Sequence, residues 1–241
     1  VAESCMYGTE DEAIAVFGDS HGVEVTYALA RSPILQTESL YHFTYSSCGP
    51  NYQNIGGGCA RWAQDKIDFI KSNKKISTVV LAYRFNSILG GDHYYDYPYN
   101  EFDIPGDHYL LIKESFKALV EGFIKSNKRV IILAQVPEVP RHIERVLHFE
   151  HDRTADAIGV SSEWWRQRSD AFNAMIDELG YGKLVMDSAD SFCDSTVCFV
   201  EKNGVPLYFD DDHVSVAGAG LVVSNLLDKF AESEPFRVDV K

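Results

Sequence analysis

A short strand-like run followed by a helical pattern occurs five times in this chain, and this alternation limits its fold more than any other feature. The strand-like runs fall at residues 13–17, 39–45, 76–83, 130–134 and 184–186. Segments with helical spacing of apolar residues follow them, at residues 20–31, 61–72, 108–127, 162–179 and 215–230. Alternating strands and helices form a parallel sheet with helices on both faces. The pattern therefore predicts a three-layer α/β/α sandwich with a five-stranded parallel sheet.

The chain is long enough for one sizeable domain, which we expect to span residues 1–241. Residues 1–12 are polar and are predicted to be loose. Residues 87–107 and 141–160 fit neither strand nor helix and are predicted to be loop insertions. The first insertion is rich in tyrosine and aspartate, which suit binding to sugars, although a self-packed surface loop is slightly favoured for any single tyrosine.

The acidic composition limits the partners of the protein. The formal net charge is −14, which argues against nucleic acid or an anionic membrane surface as a binding partner. No apolar run approaches the roughly 18 residues of a transmembrane helix. The chain also starts abruptly at Val1, so we expect it to be a mature or excised piece of a longer protein.

Four of the five cysteines form two short-range pairs in loop-like surroundings. Cys48 and Cys59 flank a loop rich in glycine, and Cys193 and Cys198 flank a second short loop. Neither pair has the spacing of a zinc site, so disulfides are favoured over free thiols or metal ligands. Disulfides would place the protein in an oxidising compartment. Cys5 is left over, either free or paired with a cysteine outside this sequence.

The first strand-like run leads directly into Gly18-Asp-Ser-His21. Chemistry in open α/β sheets lies at the carboxyl ends of the strands, where this tetrapeptide belongs. Ser20 would lie at the start of a helix, where backbone N–H groups and the helix dipole favour a developing oxyanion. The alternative is that Ser20 only caps the helix.

A second polar stretch, Asp210-Asp-Asp-His213, precedes the last helix. A serine nucleophile needs an adjacent base, and that base needs a third group to orient it. Asp210 and His213 supply both residue types, one helical turn apart. Because all the strands end at the same sheet edge, this stretch and Ser20 are expected to converge.

Together the two stretches resemble the SGNH (GDSL-like) hydrolase superfamily, whose first block contains Gly-Asp-Ser and whose last contains Asp-x-x-His. The resemblance implies a flavodoxin-like sheet, and it assigns Ser20 as nucleophile, His213 as base and Asp210 as the residue that orients it. Asp19 is expected to shape the turn. Asp211 and Asp212 have no role in the superfamily pattern and are expected to lie in solvent.

The resemblance narrows to the SGNH domain fused behind membrane acyltransferases that O-acetylate bacterial surface polysaccharides. It spans about residues 14 to 225, and it rests on the two outer blocks together with weaker matches at Cys48, Cys59, Val79-Val-Leu-Ala82, Val136-Pro-Glu138, Cys193, Cys198 and Gly218. It implies an extracytoplasmic domain that moves an acetyl group onto a glycan hydroxyl. A transmembrane acyltransferase domain, N-terminal in the same chain, would tether it to the membrane and supply the acetyl donor.

One departure from the superfamily concerns the oxyanion hole. The superfamily has a Gly-x-Asn-Asp block after the third strand, and its Asn helps to form this hole. Here that place reads Ala82-Tyr-Arg-Phe-Asn86. Either Asn86 or Arg84 replaces the missing donor, or the hole consists of the backbone N–H groups of Ser20 and Gly49.

Two other functions remain open at this level. A stand-alone carbohydrate O-acetylesterase or lipase-like esterase would use the same residues with water as acceptor. A non-catalytic glycan-binding domain is disfavoured because Ser20, Asp210 and His213 are all intact. No cofactor is expected in the domain, and no histidine or cysteine spacing indicates a metal site.

Overall fold

The computed structural model of the protein describes residues 5–99, 104–150 and 156–231. A six-stranded sheet forms its centre, in the order β1-β3-β2-β4-β5-β7. These strands are β1 Cys5–Tyr7, β2 Ala13–Gly18, β3 Ser39–Thr44, β4 Ile76–Ala82, β5 Arg129–Leu133 and β7 Val185–Met186. Two small antiparallel pairs complete the strands, β6 Ile158–Ser161 with β8 Val197–Phe199 and β9 Glu201–Lys202 with β10 Val205–Pro206.

Ten helices accompany these strands in the described ranges. They are α1 Gly22–Leu29, α2 Tyr52–Ile55, α3 Gly57–Ser72, α4 Phe85–Gly90, α5 Gly106–Lys125, α6 Ile143–Arg145, α7 Ser162–Arg168, α8 Asp170–Leu179, α9 Ala189–Phe192 and α10 Val216–Ala231. Short 3₁₀ turns lie at Pro33–Gln36, His93–Asp96 and Gly182–Leu184, and a π-helical turn lies at Val146–Glu150.

The predicted sheet is confirmed, with one addition. The second, first, third, fourth and fifth parallel strands lie side by side in that order, which is the flavodoxin-like arrangement. The sixth strand, β1, pairs antiparallel with β3 at the edge of the sheet. The expectation that residues 1–12 are loose is therefore wrong for Cys5–Tyr7, because the exposed edge of β3 offers backbone partners that local polarity does not reveal.

Alternate residues of each central strand enter two different cores, because successive side chains of a strand point to opposite faces. Ala15 and Phe17 of β2 belong to the core beneath α3, α5 and α8, whereas Ile14 and Val16 belong to the core beneath α1 and α10. The sheet is thus covered on both faces, which confirms the three-layer sandwich.

The two predicted insertions contain more regular structure than expected. The first begins within α4 and continues through the His93–Asp96 turn, and residues 100–103 of it lie outside the described residues. The second includes α6, the π-helical turn and most of β6, and residues 151–155 of it lie outside the described residues.

Candidate active site

The turn after β2 carries Ser20 at the carboxyl edge of the sheet. Gly18 is required there because a Cβ atom would lie 1.7 Å from the carbonyl oxygen of Ala82 on β4. The Asp19 carboxylate accepts hydrogen bonds from the backbone N–H groups of His21, at 2.9 Å, and Arg84, at 2.8 Å. Asp19 therefore shapes the turn, as expected. Helix α1 begins two residues after Ser20, at Gly22.

The loop before α10 brings His213 to Ser20 from 193 residues away. His213 Nε2 lies 2.8 Å from Ser20 Oγ, and His213 Nδ1 lies 2.9 Å from Asp210 Oδ2. The other Asp210 oxygen accepts the backbone N–H groups of His213 and Asp212, at 2.7 and 2.9 Å. The Ser20 hydroxyl thus contacts the imidazole of His213. The alternative that Ser20 only caps the helix is wrong, because no described side chain caps α1.

Asp212 does not lie in solvent, contrary to the expectation from sequence. Its residue is 6% exposed, its Oδ1 lies 2.9 Å from His213 Nδ1, and its Oδ2 lies 2.8 Å from Arg84 Nε. Asp211 also has partners, since one of its carboxylate oxygens accepts hydrogen bonds from the hydroxyls of Tyr94 and Tyr95. Sequence spacing could not reveal these contacts, because Arg84 and the tyrosines reach the loop from distant parts of the chain.

The carboxylates around His213 determine its protonation. Burial of the imidazole lowers the pKa of His213, but hydrogen bonds to Asp212 and Asp210 and their charges outweigh burial and raise the pKa to about 9. Burial raises the pKa of Asp210, but the backbone N–H groups of His213 and Asp212 and the charge of His213 lower it below its ordinary value. His213 is therefore a stronger base than an ordinary histidine.

Arg84, which follows β4, is the main cation of the site. Besides Asp212, its guanidinium contacts Asp92 at 3.2 Å and Glu138 at 3.4 Å. It also lies over the ring of Tyr94, 4.8 Å from the ring centre. These acidic neighbours keep the pKa of Arg84 above its ordinary value, although burial opposes them.

A second arginine completes this buried network. Arg168 Nε lies 2.7 Å from Glu138 Oε2, and both side chains are almost completely buried. Glu138 thus lies between two guanidinium groups that come from different segments, after β4 and at the end of α7. The sequence showed Glu138 only as part of a weak motif, and nothing in its spacing indicated this role.

His21 also lies in the site, although the sequence predicted no role for it. Its ring centre lies 4.6 Å from that of His213, and its nitrogens lie 3.4 Å from an Asp19 oxygen and 3.7 Å from an Asp212 oxygen. Position 21, directly after the serine in the first block, was the only available signal.

An open pocket of about 350 Å³ exposes Ser20 and His213 to a substrate. It is lined by Asp19, Ser20, His21, Ser47, Gly49, Arg84, Ser87, Ile88, Asp92, Asp212 and His213. Gly49 and Arg84 therefore share a pocket with Ser20, as the oxyanion-hole hypothesis requires.

The hypothesis that Asn86 donates to the oxyanion hole is wrong, because Asn86 lies outside the lining of the Ser20 pocket. Within the described residues it is 3% exposed, its side-chain nitrogen donates to Ser169 Oγ at 3.3 Å, and its backbone N–H donates to Gln135 Oε1. It follows Phe85, whose side chain is fully buried in the core, at the start of α4. The helix turns Asn86 toward α7 and α8 and away from the lining of the Ser20 pocket.

Both expected disulfides are present. Cys48–Cys59 has an S–S distance of 2.05 Å. It joins the loop that carries Gly49 to the start of α3. Cys193–Cys198 has an S–S distance of 2.07 Å. Cys5 has a free, exposed thiol within the described residues.

Known structures share this fold. The periplasmic domain of a lipopolysaccharide acetyltransferase from Salmonella ser. Paratyphi A aligns with a TM-score of 0.66 and 13% identity, over 95% of this chain and 86% of that one. An acetyl xylan esterase aligns with a TM-score of 0.52 and 12% identity, over 90% and 98%. A carbohydrate acetylesterase from Sinorhizobium meliloti aligns with a TM-score of 0.51 and 14% identity, over 91% and 98%.

At the sequence level, a comparison with curated proteins returned no match. A family model described as the SGNH domain fused to AT3 domains matches residues 1–228. In the described ranges, no helix combines the length and the apolar character needed to cross a bilayer. The match extends over nearly the whole chain and includes both polar stretches, so this chain belongs to the family of SGNH domains that are fused to AT3 domains.

Proposed function

We propose that the protein transfers an acetyl group to a glycan hydroxyl through an acyl-enzyme on Ser20. The observation that carries this proposal is the chain of contacts from Ser20 through His213 to Asp210, at the floor of an open pocket. Serine, histidine and aspartate in this relation activate a hydroxyl for acyl transfer. Membership of the SGNH family and the acetyl-transferring and acetyl-removing enzymes among its structural neighbours support the same chemistry.

The first half-reaction acylates Ser20. Its hydroxyl proton passes to His213 Nε2 while Oγ attacks the acetyl carbonyl carbon of the donor. Asp210 accepts the Nδ1–H of His213 and stabilises the imidazolium that forms. The tetrahedral intermediate collapses when the donor's leaving group takes the proton from Nε2 and departs. Ser20 then carries the acetyl group as an ester.

The second half-reaction transfers the acetyl group to the acceptor. A sugar hydroxyl gives its proton to His213 Nε2, and its oxygen attacks the carbonyl carbon of acetyl-Ser20. The Ser20 oxygen leaves and regains a proton from Nε2, so the enzyme returns to its starting state. The same base serves both steps, because Nε2 faces the reacting oxygen in each.

The oxyanion of both intermediates needs donors in the pocket. We assign the backbone N–H groups of Ser20 and Gly49 to this role, with the Arg84 guanidinium adding positive charge in the same pocket. The dipole at the start of α1 favours negative charge at the same place. The Cys48–Cys59 bond restrains the loop on which Gly49 lies.

Exposed aromatic side chains beside the pocket support a glycan as acceptor. Phe209 is 56% exposed, with its ring centre 5.8 Å from that of His213. Tyr95 is equally exposed, and its hydroxyl bonds to Asp211 two residues before His213. Exposed aromatic faces next to polar groups suit contact with sugar rings.

The family and the disulfides also support a location and a partner. Two disulfides fit an oxidising, extracytoplasmic compartment such as the periplasm. The family's fusion to AT3 domains makes a membrane acyltransferase region, N-terminal in the same polypeptide, the expected source of the acetyl donor and of the membrane tether. No cofactor beyond that donor is required by the mechanism.

A stand-alone esterase is the second candidate, because two esterases share the fold and the pocket is open to water. The two functions differ only in the acceptor that resolves acetyl-Ser20. Acetate release from a nitrophenyl acetate ester, measured with and without an added bacterial polysaccharide, separates them. Transfer predicts acetylated polysaccharide at the expense of acetate, whereas an esterase releases the same acetate in both cases.

Ser20→Ala tests the chemistry itself. We expect this variant to lose acetyl-ester turnover and to keep the melting temperature of the wild type, because the serine hydroxyl lies in an open pocket. Mass spectrometry of the wild type during turnover should find the acetyl group on the peptide that contains Ser20. Activity of Ser20→Ala above about a tenth of wild type would contradict the assignment of the nucleophile.

A further inference from the structure

We propose that Asp212 is a second positioning residue for His213, sharing the imidazole with Asp210 and held in place by Arg84. The proposal rests on the proposed function, in which His213 is the base. It concerns a residue that the Asp-x-x-His pattern does not assign, one position before the histidine.

Two carboxylates lie at the same distance from His213 Nδ1. Asp210 Oδ2 and Asp212 Oδ1 each lie 2.9 Å from His213 Nδ1. In the tautomer that leaves Nε2 free to accept the Ser20 proton, Nδ1 carries one proton, so the two carboxylates share a single donor. Both carboxylates therefore contact Nδ1, while Nε2 of the same ring lies 2.8 Å from Ser20 Oγ.

The two carboxylates are held by different means. Two backbone N–H groups of the same loop bind Asp210. The guanidinium of Arg84 holds Asp212 at 2.8 Å, and Arg84 in turn contacts Glu138. Burying a carboxylate is costly unless it is paired, and Asp212 is 6% exposed with its two oxygens directed at two different cations or donors. The fold therefore fixes the position of the Asp212 carboxylate beside His213.

Charged and titratable groups face Asp212 and His213 from every packed element. They are Asp19 and His21 from the turn after β2, Glu24 from α1, Arg84 from the segment after β4, and Asp210 from the same loop. Glu138, from the segment after β5, contacts Arg84. Arg84 balances part of the negative charge, but His213 still has two carboxylates in direct contact. Asp212 therefore favours the protonated imidazole.

This placement has a measurable consequence for the pH dependence of catalysis. The base must be neutral to accept the Ser20 proton, and the contacts with Asp212 and Asp210 raise the pKa of His213 to about 9. Removing the charge of Asp212 lowers that pKa, so the neutral imidazole becomes available at lower pH. An opposite charge in contact shifts a pKa by about one to three units.

The experiment compares the pH profiles of kcat/KM for a nitrophenyl acetate ester in three proteins: wild type, Asp212→Asn and Asp211→Asn. We expect the acidic limb of Asp212→Asn to move to lower pH by about one unit or more. The limb of Asp211→Asn should coincide with that of the wild type, because Asp211 bonds to tyrosines and not to the histidine. A purely structural role of Asp212 would lower the rate without moving the limb.

A second variant and an NMR titration also test the role of Asp212. If Asp212→Asn fails to fold, Asp212→Ser carries the same expectation with a smaller polar side chain. In the wild type, an NMR titration of the His213 imidazole should have its midpoint near pH 9. A midpoint at the ordinary histidine value of about 6.5, or a limb that Asp212→Asn leaves unmoved, would overturn the inference. Neither result would affect the nucleophile, which Ser20→Ala tests separately.

Discussion

Three consecutive aspartates before His213 have three different partners. Asp210 bonds to backbone N–H groups and to Nδ1, and Asp211 bonds to two tyrosine hydroxyls. Asp212 lies 2.9 Å from Nδ1 and 2.8 Å from the Arg84 guanidinium. Successive residues in a turn point in different directions, so each carboxylate reaches a different neighbour. At the scale of single residues, the function of a carboxylate here follows from what it contacts and not from its type.

Asp210→Asn should lower turnover by roughly two to four orders of magnitude while the protein stays folded. Its amide cannot replace the carboxylate that bonds to Nδ1–H and stabilises the imidazolium. Asp211→Asn is the matched control and should stay within a few-fold of wild type. Steady-state kinetics and circular dichroism of both variants check this expectation, and equal activity of the two would contradict the role of Asp210.

At the scale of elements, the start of α10 determines where the His213 loop lies. The backbone N–H of Ser215 donates to the Leu207 carbonyl at 2.8 Å, and Ser215 Oγ accepts from the Gly218 N–H at 3.2 Å, so Ser215 caps the helix. A Cβ atom on Gly218 would lie 2.1 Å from the Leu207 carbonyl oxygen. The helix can approach the loop this closely only because residue 218 is glycine.

Gly218→Ala should therefore destabilise the protein by about 1–3 kcal/mol, because the helix must move away from Leu207. It should also reduce turnover, since the loop between them carries Asp210 and His213. Gly220→Ala is the matched control in the same helix. Its Cβ would meet no atom within 4 Å, and alanine favours a helix over glycine by up to about 1 kcal/mol. Urea unfolding of both variants measures the difference, and equal midpoints would refute the close-approach argument.

At the scale of the whole molecule, buried ion pairs join helix α7 to the segments that follow two neighbouring strands of the sheet. Glu138 follows β5, Arg84 follows β4 and Arg168 ends α7. The Glu138 side chain is completely buried, so its charge depends on the two guanidinium groups. The network extends from α7 through Glu138 and Arg84 to Asp212, and it connects the helical layer with the site.

Glu138→Gln should destabilise the protein by about 3–5 kcal/mol, because it leaves Arg168 buried beside a neutral side chain. The free energy of unfolding, measured in urea, checks this value. Glu144→Gln changes an exposed glutamate on α6 in the same way and should have almost no effect. A loss below 1 kcal/mol for Glu138→Gln would show that the buried network contributes little to stability.

Features that depend on local pattern were accessible from the sequence. Apolar periodicity predicts the five parallel strands and their helices, because each strand and helix buries its own apolar face. The cysteines that pair are close in sequence, so their partners followed from spacing. The parallel topology and the family blocks were also sufficient to expect Ser20, Asp210 and His213 at one sheet edge.

Which polar side chains meet depends on the folded arrangement of distant segments. The short strand β1 has no apolar pattern of its own and forms because β3 exposes an edge. Asn86 and Arg84 are two residues apart, yet the start of α4 buries one toward Ser169 and leaves the other in the pocket. Asp212 was indistinguishable from Asp211 in sequence and differs because Arg84 approaches it across the sheet edge. Apolar burial is encoded along the chain, whereas the pairing of charges depends on groups that folding brings together from distant segments.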